Sequence, residues 1–215
     1  MTDPSERPAH PPRGSPRTAP SGHPLSRALA DEIKAEFPAF RIVAKRSDRL
    51  SNAIDVLLRL VTLGQQSSYL THYHTVLGFR LYVPPTWSGL DDVARTILLR
   101  HERVHLRQRR RYGMLGMAVL YLLPLFPIGL AWGRARLEWE AYTETLRATA
   151  ELQGLEAARA PTLRAHILQR FTGPDYGWMW PFPAQLNRWY DAALASIERE
   201  LSTSAPSHHH LGGAG

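Results

Sequence analysis

The run His101-Glu102-Arg103-Val104-His105 carries the densest chemistry in this sequence. On an α-helix residues four apart stand one above the other, so His101 and His105 would face the same way and could grip one metal ion. Neutral imidazoles suit Zn²⁺, two of them leave it unsaturated, and an adjacent carboxylate can take a proton from a coordinated water. Glu102 is that carboxylate, and its expected role is general base. A pattern with three fixed letters is short enough to arise by chance, so the elements around it must carry part of the argument.

Ser88-Gly-Leu-Asp91 reads as a capping box that opens a helix. Val93, Ala94, Ile97, Leu98, His101, Val104, His105 and Gln108 then recur at spacings of three and four. The histidines thus continue an apolar stripe, while Arg95, Arg100, Arg103, Arg107 and Arg110 fall mostly on the opposite, solvated face. Two imidazoles on a buried face beside a glutamate are costly unless they are paired or hold a metal, which favours a metal site. A third ligand from a second helix is the common arrangement. Residues Gly133 to Ala150 resume helical spacing and offer Glu138 and Glu140. Arg136, Glu140, Glu144 and Arg147 form a charged face of (i, i+4) and (i, i+3) pairs that accounts for Glu140 as solvated. Glu138 has the small Ala135 and Ala141 beside it, with Tyr142 and Thr145, so its face can approach another helix and it is the preferred ligand.

Ahead of the motif, helices are expected over Leu25 to Phe37 and Asp48 to Leu63, with a short strand over Phe40 to Lys45. Tyr69 to Pro85 reads as a β-hairpin, with Phe79, Leu81 and Val83 inward and Arg80 and Tyr82 outward. His72 and His74 share one face of its first strand and read as surface residues. Gly113 to Gly133 holds no charged side chain, enough apolar length to suggest a membrane span, yet Pro124 and Pro127 divide it into two arms. A hydrophobic helical hairpin is the expectation, because a straight crossing of about 30 Å would part His105 from Glu138. Further helices are expected at Pro161 to Phe171 and Ala184 to Leu201, joined by the aromatic stretch Tyr176 to Pro183, which reads as core packing.

The whole is expected to be mainly α with a small β-sheet: a single domain over 25–201 between a proline-rich tail, 1–24, and a polar tail, 202–215, whose His208 to His210 read as incidental. With no cysteine among 215 residues, disulfides and thiolate metal sites are excluded. The net charge of +7 comes almost wholly from arginine, spread along the chain with one dense cluster at Arg107 and Arg109 to Arg111, and no nucleic-acid-reading motif accompanies it. The N-terminal segment lacks the apolar core of a signal peptide, so a cytoplasmic location is expected, with 113–133 a candidate contact with the inner face of a membrane.

His101-Glu102-x-x-His105 followed by Glu138-Trp-Glu-Ala141 resembles zincin metallopeptidases of the gluzincin kind, most closely the HtpX-like and CAAX prenyl protease group. That group takes its third ligand from the Glu of a Glu-x-x-Ala-Asp motif and separates its two motifs by membrane-embedded helices. The resemblance implies a zincin-like core, Zn²⁺ on His101, His105 and Glu138, endopeptidase activity on a protein or peptide with Glu102 as base, and an upstream edge strand such as Phe79 to Val83 to receive the substrate. It implies an oxyanion donor as well, for which Tyr142, His166 and Tyr176 are candidates. Tyr142 stands where the family has its Asp, so a catalytically inactive scaffold that binds protein or membrane is the alternative.

Overall fold

A computed structural model describes residues 23–44, 75–122, 131–173 and 178–204. In chain order these form α1 (Pro24–Glu36), β1 (Arg41–Ala44), β2 (Thr75–Leu77), β3 (Arg80–Val83), a 3₁₀ turn (Pro85–Gly89), α2 (Asp92–Leu122), α3 (Trp132–Gln153), α4 (Leu155–Arg159), α5 (Pro161–Thr172) and α6 (Pro183–Ser204). The protein is mainly helical with one small sheet. The expected helix over Asp48 to Leu63, His72, His74, the turn at Pro124 to Pro127, Tyr176, and nearly all of both tails lie outside the described residues.

Helix α2 is the spine. Asp91 is its N-cap, its carboxylate accepting the Ala94 N–H at 2.7 Å, and Ser88 belongs instead to the preceding 3₁₀ turn, where its hydroxyl donates to the Pro85 carbonyl. In place of the capping box expected at Ser88 there is a single N-cap three residues later, because Pro85 starts a tighter turn and the aspartate is itself a strong cap. Asp92 reaches across to α1 and accepts the N–H groups of Leu25 and Ser26 at 2.8 and 2.9 Å, capping a helix whose own sequence supplies no side-chain cap. Desolvation raises the Asp92 carboxyl, but the hydrogen bonds from Ser26 and Leu25 hold it below its ordinary range.

The face of α2 expected to be solvated is instead an ion-pair seam. Arg103, Arg107 and Arg110 converge on Glu36 of α1 at 2.8, 2.9 and 3.3 Å, and the Arg107 hydrogen bond, with help from Arg103, lowers the Glu36 carboxyl to about 2. Arg100 pairs with Glu144 and Glu151 of α3. Helical periodicity distinguishes apolar from charged faces, but it does not say whether a charged face meets water or another helix's charges.

The sheet order is β1-β3-β2, with β3 parallel to β1 and antiparallel to β2. This corrects two expectations. Phe79 to Val83 is not an edge strand, since β3 is paired on both sides, and Tyr82 is fully buried rather than outward, since Leu81, Tyr82 and Val83 are all covered. Alternation reports one-sided burial, and the central strand is covered on both faces.

Two apolar clusters flank the paired helices α2 and α3. One joins Leu29, Ile33, Phe37, Phe40, Leu81 and Val83 to Leu99 and Leu106 of α2. The other joins Ala135, Trp139, Leu146 and Ala150 of α3 to Ile167, Phe171, Met179, Trp180, Leu186 and Tyr190. Met179 and Trp180 thus pack as core, while Trp178 is exposed. Burial pushes the Tyr190 hydroxyl up to about 12, and it donates to the Ala158 carbonyl at 2.7 Å, tying α6 to α4.

Helices α2 and α3 run antiparallel, as the facing pairs Arg100 with Glu151, His101 with Thr145 and Gln108 with Leu137 require. Gly133 continues this register: a Cβ there would lie 2.8 Å from the Leu120 carbonyl oxygen. Leu120 near the end of α2 and Gly133 at the start of α3 are thus side by side. Gly113, at φ 68° and ψ 179°, breaks α2 where the apolar arm begins, a conformation L-residues rarely adopt. Among the described residues no helix is long and apolar enough to cross a membrane. Met114, Leu115 and Val119 nonetheless stand exposed on that arm.

Candidate metal centre

The site lies where α2 and α3 meet, between the two clusters. The Nε2 atoms of His101 and His105 are 3.2 Å apart, and Glu138 Oε2 lies 4.0 Å from the first and 3.7 Å from the second. Zn–N and Zn–O bonds of about 2.0–2.2 Å in a tetrahedron put ligand atoms about 3.3 Å apart, so these donors need to move only a few tenths of an ångström to share one ion. Glu138 and His105 are buried, which removes the competition of bulk water.

The hydrogen bonds behind the imidazoles decide what they present. Gln108 Oε1 can only accept, so at 2.9 Å it fixes a proton on His105 Nδ1. The Thr145 hydroxyl donates to the Ala141 carbonyl and so accepts from His101 Nδ1 at 3.0 Å. Both neutral rings then turn their Nε2 lone pairs towards each other and towards the Glu138 carboxylate, an arrangement that a bound cation satisfies. Burial lowers the His105 pKa, but the charges of Glu138 and Glu102 outweigh it and the net shift is upward.

Gln108 is the residue sequence reasoning missed. Its Nε2 donates to the Leu137 carbonyl and to Glu140 Oε2, each at 2.9 Å, so one buried amide joins the ligand helix to the glutamate helix. The signal was present: Gln108 continues the stripe one turn beyond His105, and a polar residue on a buried face implies a partner. Glu140 is exposed and outside the ligand cluster, yet it is not merely solvated, since it anchors Gln108. Thr145, a face neighbour of Glu138 in the sequence, takes its role from the structure as the acceptor for His101 Nδ1.

A cleft of about 550 Å³ opens beside the ligands. His101 and Glu102 line it from α2, Tyr142 and Thr145 from α3, and His166 and Arg170 from α5. The Tyr142 ring packs edge-on against His101 at 4.9 Å and lies 5.6 Å from Phe171, which sets the C-terminal end of α5 beside the metal centre. The sequence candidates Glu102, Tyr142 and His166 thus share one cleft with His101, whereas Tyr176 lies outside the described residues.

Compared with models of protein families, with curated proteins and with solved structures, the chain matches none.

Proposed function

We propose that this protein is a zinc-dependent endopeptidase of gluzincin type, with His101, His105 and Glu138 as ligands and Glu102 as general base. The observation that carries the reading is the convergence of those three donor atoms, with both histidine Nδ1 protons committed elsewhere, beside a cleft that His101 and Glu102 line. Bound Zn²⁺ would supply Lewis acidity and draw the pKa of a coordinated water down towards about 7. Glu102 then accepts a proton from the attacking water and returns it to the departing amine, which requires a carboxylate and not an amide. Its burial beside the imidazoles keeps that proton out of bulk solvent. Tyr142 and His166 are the donors in the cleft suited to a developing oxyanion.

The exposed Met114, Leu115 and Val119 lie next to Arg109 and Arg111, which are not part of the Glu36 seam, and give the reading a second part, docking on the cytoplasmic face of an anionic membrane. Nucleic acid is disfavoured, since Arg103, Arg107 and Arg110 are occupied by Glu36. Elemental analysis with a peptide-cleavage assay tests the proposal. Wild type should hold about one zinc per chain, Glu102→Gln should keep it and lose cleavage, and His105→Ala and Glu138→Gln should lose the metal. Equal zinc in wild type and His105→Ala would overturn the site. The Tyr142 position favours one other reading, an inactive scaffold, which predicts zinc without cleavage in wild type.

A further inference from the structure

The sheet cannot receive substrate at β3, which already uses both edges in pairing with β1 and β2. Among the described residues, the cleft beside the metal centre is lined by no strand residue; its lining lies on helices α2, α3, α4 and α5 and the single-residue link at Ala160. Helix walls have spent their backbone N–H and C=O groups internally, so whatever binds there is recognised by side-chain contact.

The character of those contacts can be read from the walls. Ile97, Leu98 and Leu163 line the cleft half-buried, leaving part of each side chain for an occupant. Thr145 and Thr149 form the floor, and their hydroxyls are turned onto the carbonyls of Ala141 and Thr145 of their own helix. A threonine whose Oγ1 is committed to the preceding turn offers its methyl to the cleft. Ala94 and Ala160 keep the far end open, where a larger residue would close it. His166 and Arg170 do not belong to this arm, because α5 reaches the metal end only at its C-terminal turns.

Length selects the occupant. From Thr145 beside His101 to Gln153 at the far end, the α3 floor runs about 12 Å at 1.5 Å per residue, the reach of about four extended residues. The volume of about 550 Å³ also suits a short peptide and not a helix. Gln153 and Thr162 add amide and hydroxyl groups along an otherwise apolar arm, which a peptide backbone can use and a hydrocarbon chain cannot.

We infer that the cleft between α2 and α5 holds an extended peptide through about four consecutive aliphatic residues next to the scissile bond, by side-chain packing and not by strand addition. The inference relies on the peptidase reading for the scissile bond, but its binding part can be measured separately. Zinc-loaded full-length Glu102→Gln is titrated against fluorescein-labelled peptides of about eight residues whose central portion is Ala-Leu-Ala-Leu or Asp-Lys-Asp-Lys, and binding is read by anisotropy. The aliphatic peptide should bind at least about tenfold more tightly, and Ala94→Trp or Thr162→Trp added to Glu102→Gln should weaken it by about tenfold with zinc content unchanged. Thr162 is exposed at the start of α5, so its variant should fold if Ala94→Trp does not. Equal affinity for the two peptides, no binding of either, or aliphatic binding indifferent to both tryptophans overturns the assignment, as does a decanoyl amide that binds while the peptide does not. If Glu102→Gln binds the aliphatic peptide as described and wild type fails to cut it, the cleft stands and the peptidase reading falls.

Discussion

Replacement of Gln108 by alanine separates a positioning role from a packing role. In the folded protein this amide accepts from His105 Nδ1 and donates to Leu137 and Glu140, so its loss frees the His105 ring to rotate and removes the acceptor that selects its tautomer. Partners that orient a ligand histidine typically contribute about 10- to 100-fold in metal affinity, or about 1.4–2.7 kcal/mol. The buried Leu137 carbonyl also loses a donor, which destabilises the metal-free fold by about 1–3 kcal/mol. Zinc affinity is measured by competition with a chromogenic chelator under conditions where circular dichroism shows the variant folded, and stability by urea unfolding of the chelator-treated protein. Gln108→Glu alone keeps the acceptor for His105 but sets a carboxylate against Glu140, so it should fold poorly. The double variant Gln108→Glu, Glu140→Gln reverses donor and acceptor across that contact, leaves the Leu137 carbonyl facing a carboxylate oxygen, and should recover part of the zinc affinity lost in Gln108→Ala while remaining less stable than wild type. If Gln108→Ala binds zinc within about twofold of wild type while unfolding more easily, the amide is packing and the reasoning is wrong.

Other consequences can be checked with the same protein. Glu36 has its carboxyl lowered to about 2 by Arg107 and Arg103, so its contribution is complete above the ordinary value of 4.5 and is lost as pH falls towards about 2. Solvent screening cuts the full linkage value of about 3 kcal/mol to about 1–2 kcal/mol, and urea unfolding of Glu36→Gln against wild type should differ by that amount at neutral pH and by almost nothing near pH 2. Gly133→Leu places a Cβ 2.8 Å from the Leu120 carbonyl and should cost about 1–3 kcal/mol in thermal unfolding, whereas an unchanged melting temperature would mean that the two apolar arms do not pack there. Tyr190→Phe leaves the Ala158 carbonyl without its hydroxyl donor and should destabilise by about 1–2 kcal/mol in the same assay, with no change in zinc content.

Much of this protein was legible in one dimension because it depends on residues close in sequence. Helical periodicity and its stops delimit α1, α3, α5 and α6 to within a few residues, and the spacing of His101 and His105 places two imidazoles on one face whatever else the chain does. The preference for Glu138 over Glu140 rests on the small neighbours on its face, and it is Glu138 that comes within 4.0 Å of both imidazoles. What sequence could not decide are relations between elements. The same arginine face serves solvent or a second helix equally well, and only the docking of α1 made it a seam around Glu36. A strand's alternation does not reveal which strands will flank it, so the central position of β3 had to await the sheet. Gln108 carries no motif, because its role exists only once Leu137 and Glu140 arrive from α3. Local periodicity is a property of a few covalent bonds and can be read from the chain, whereas a hydrogen bond between residues 29 or 32 positions apart depends on how the whole core packs.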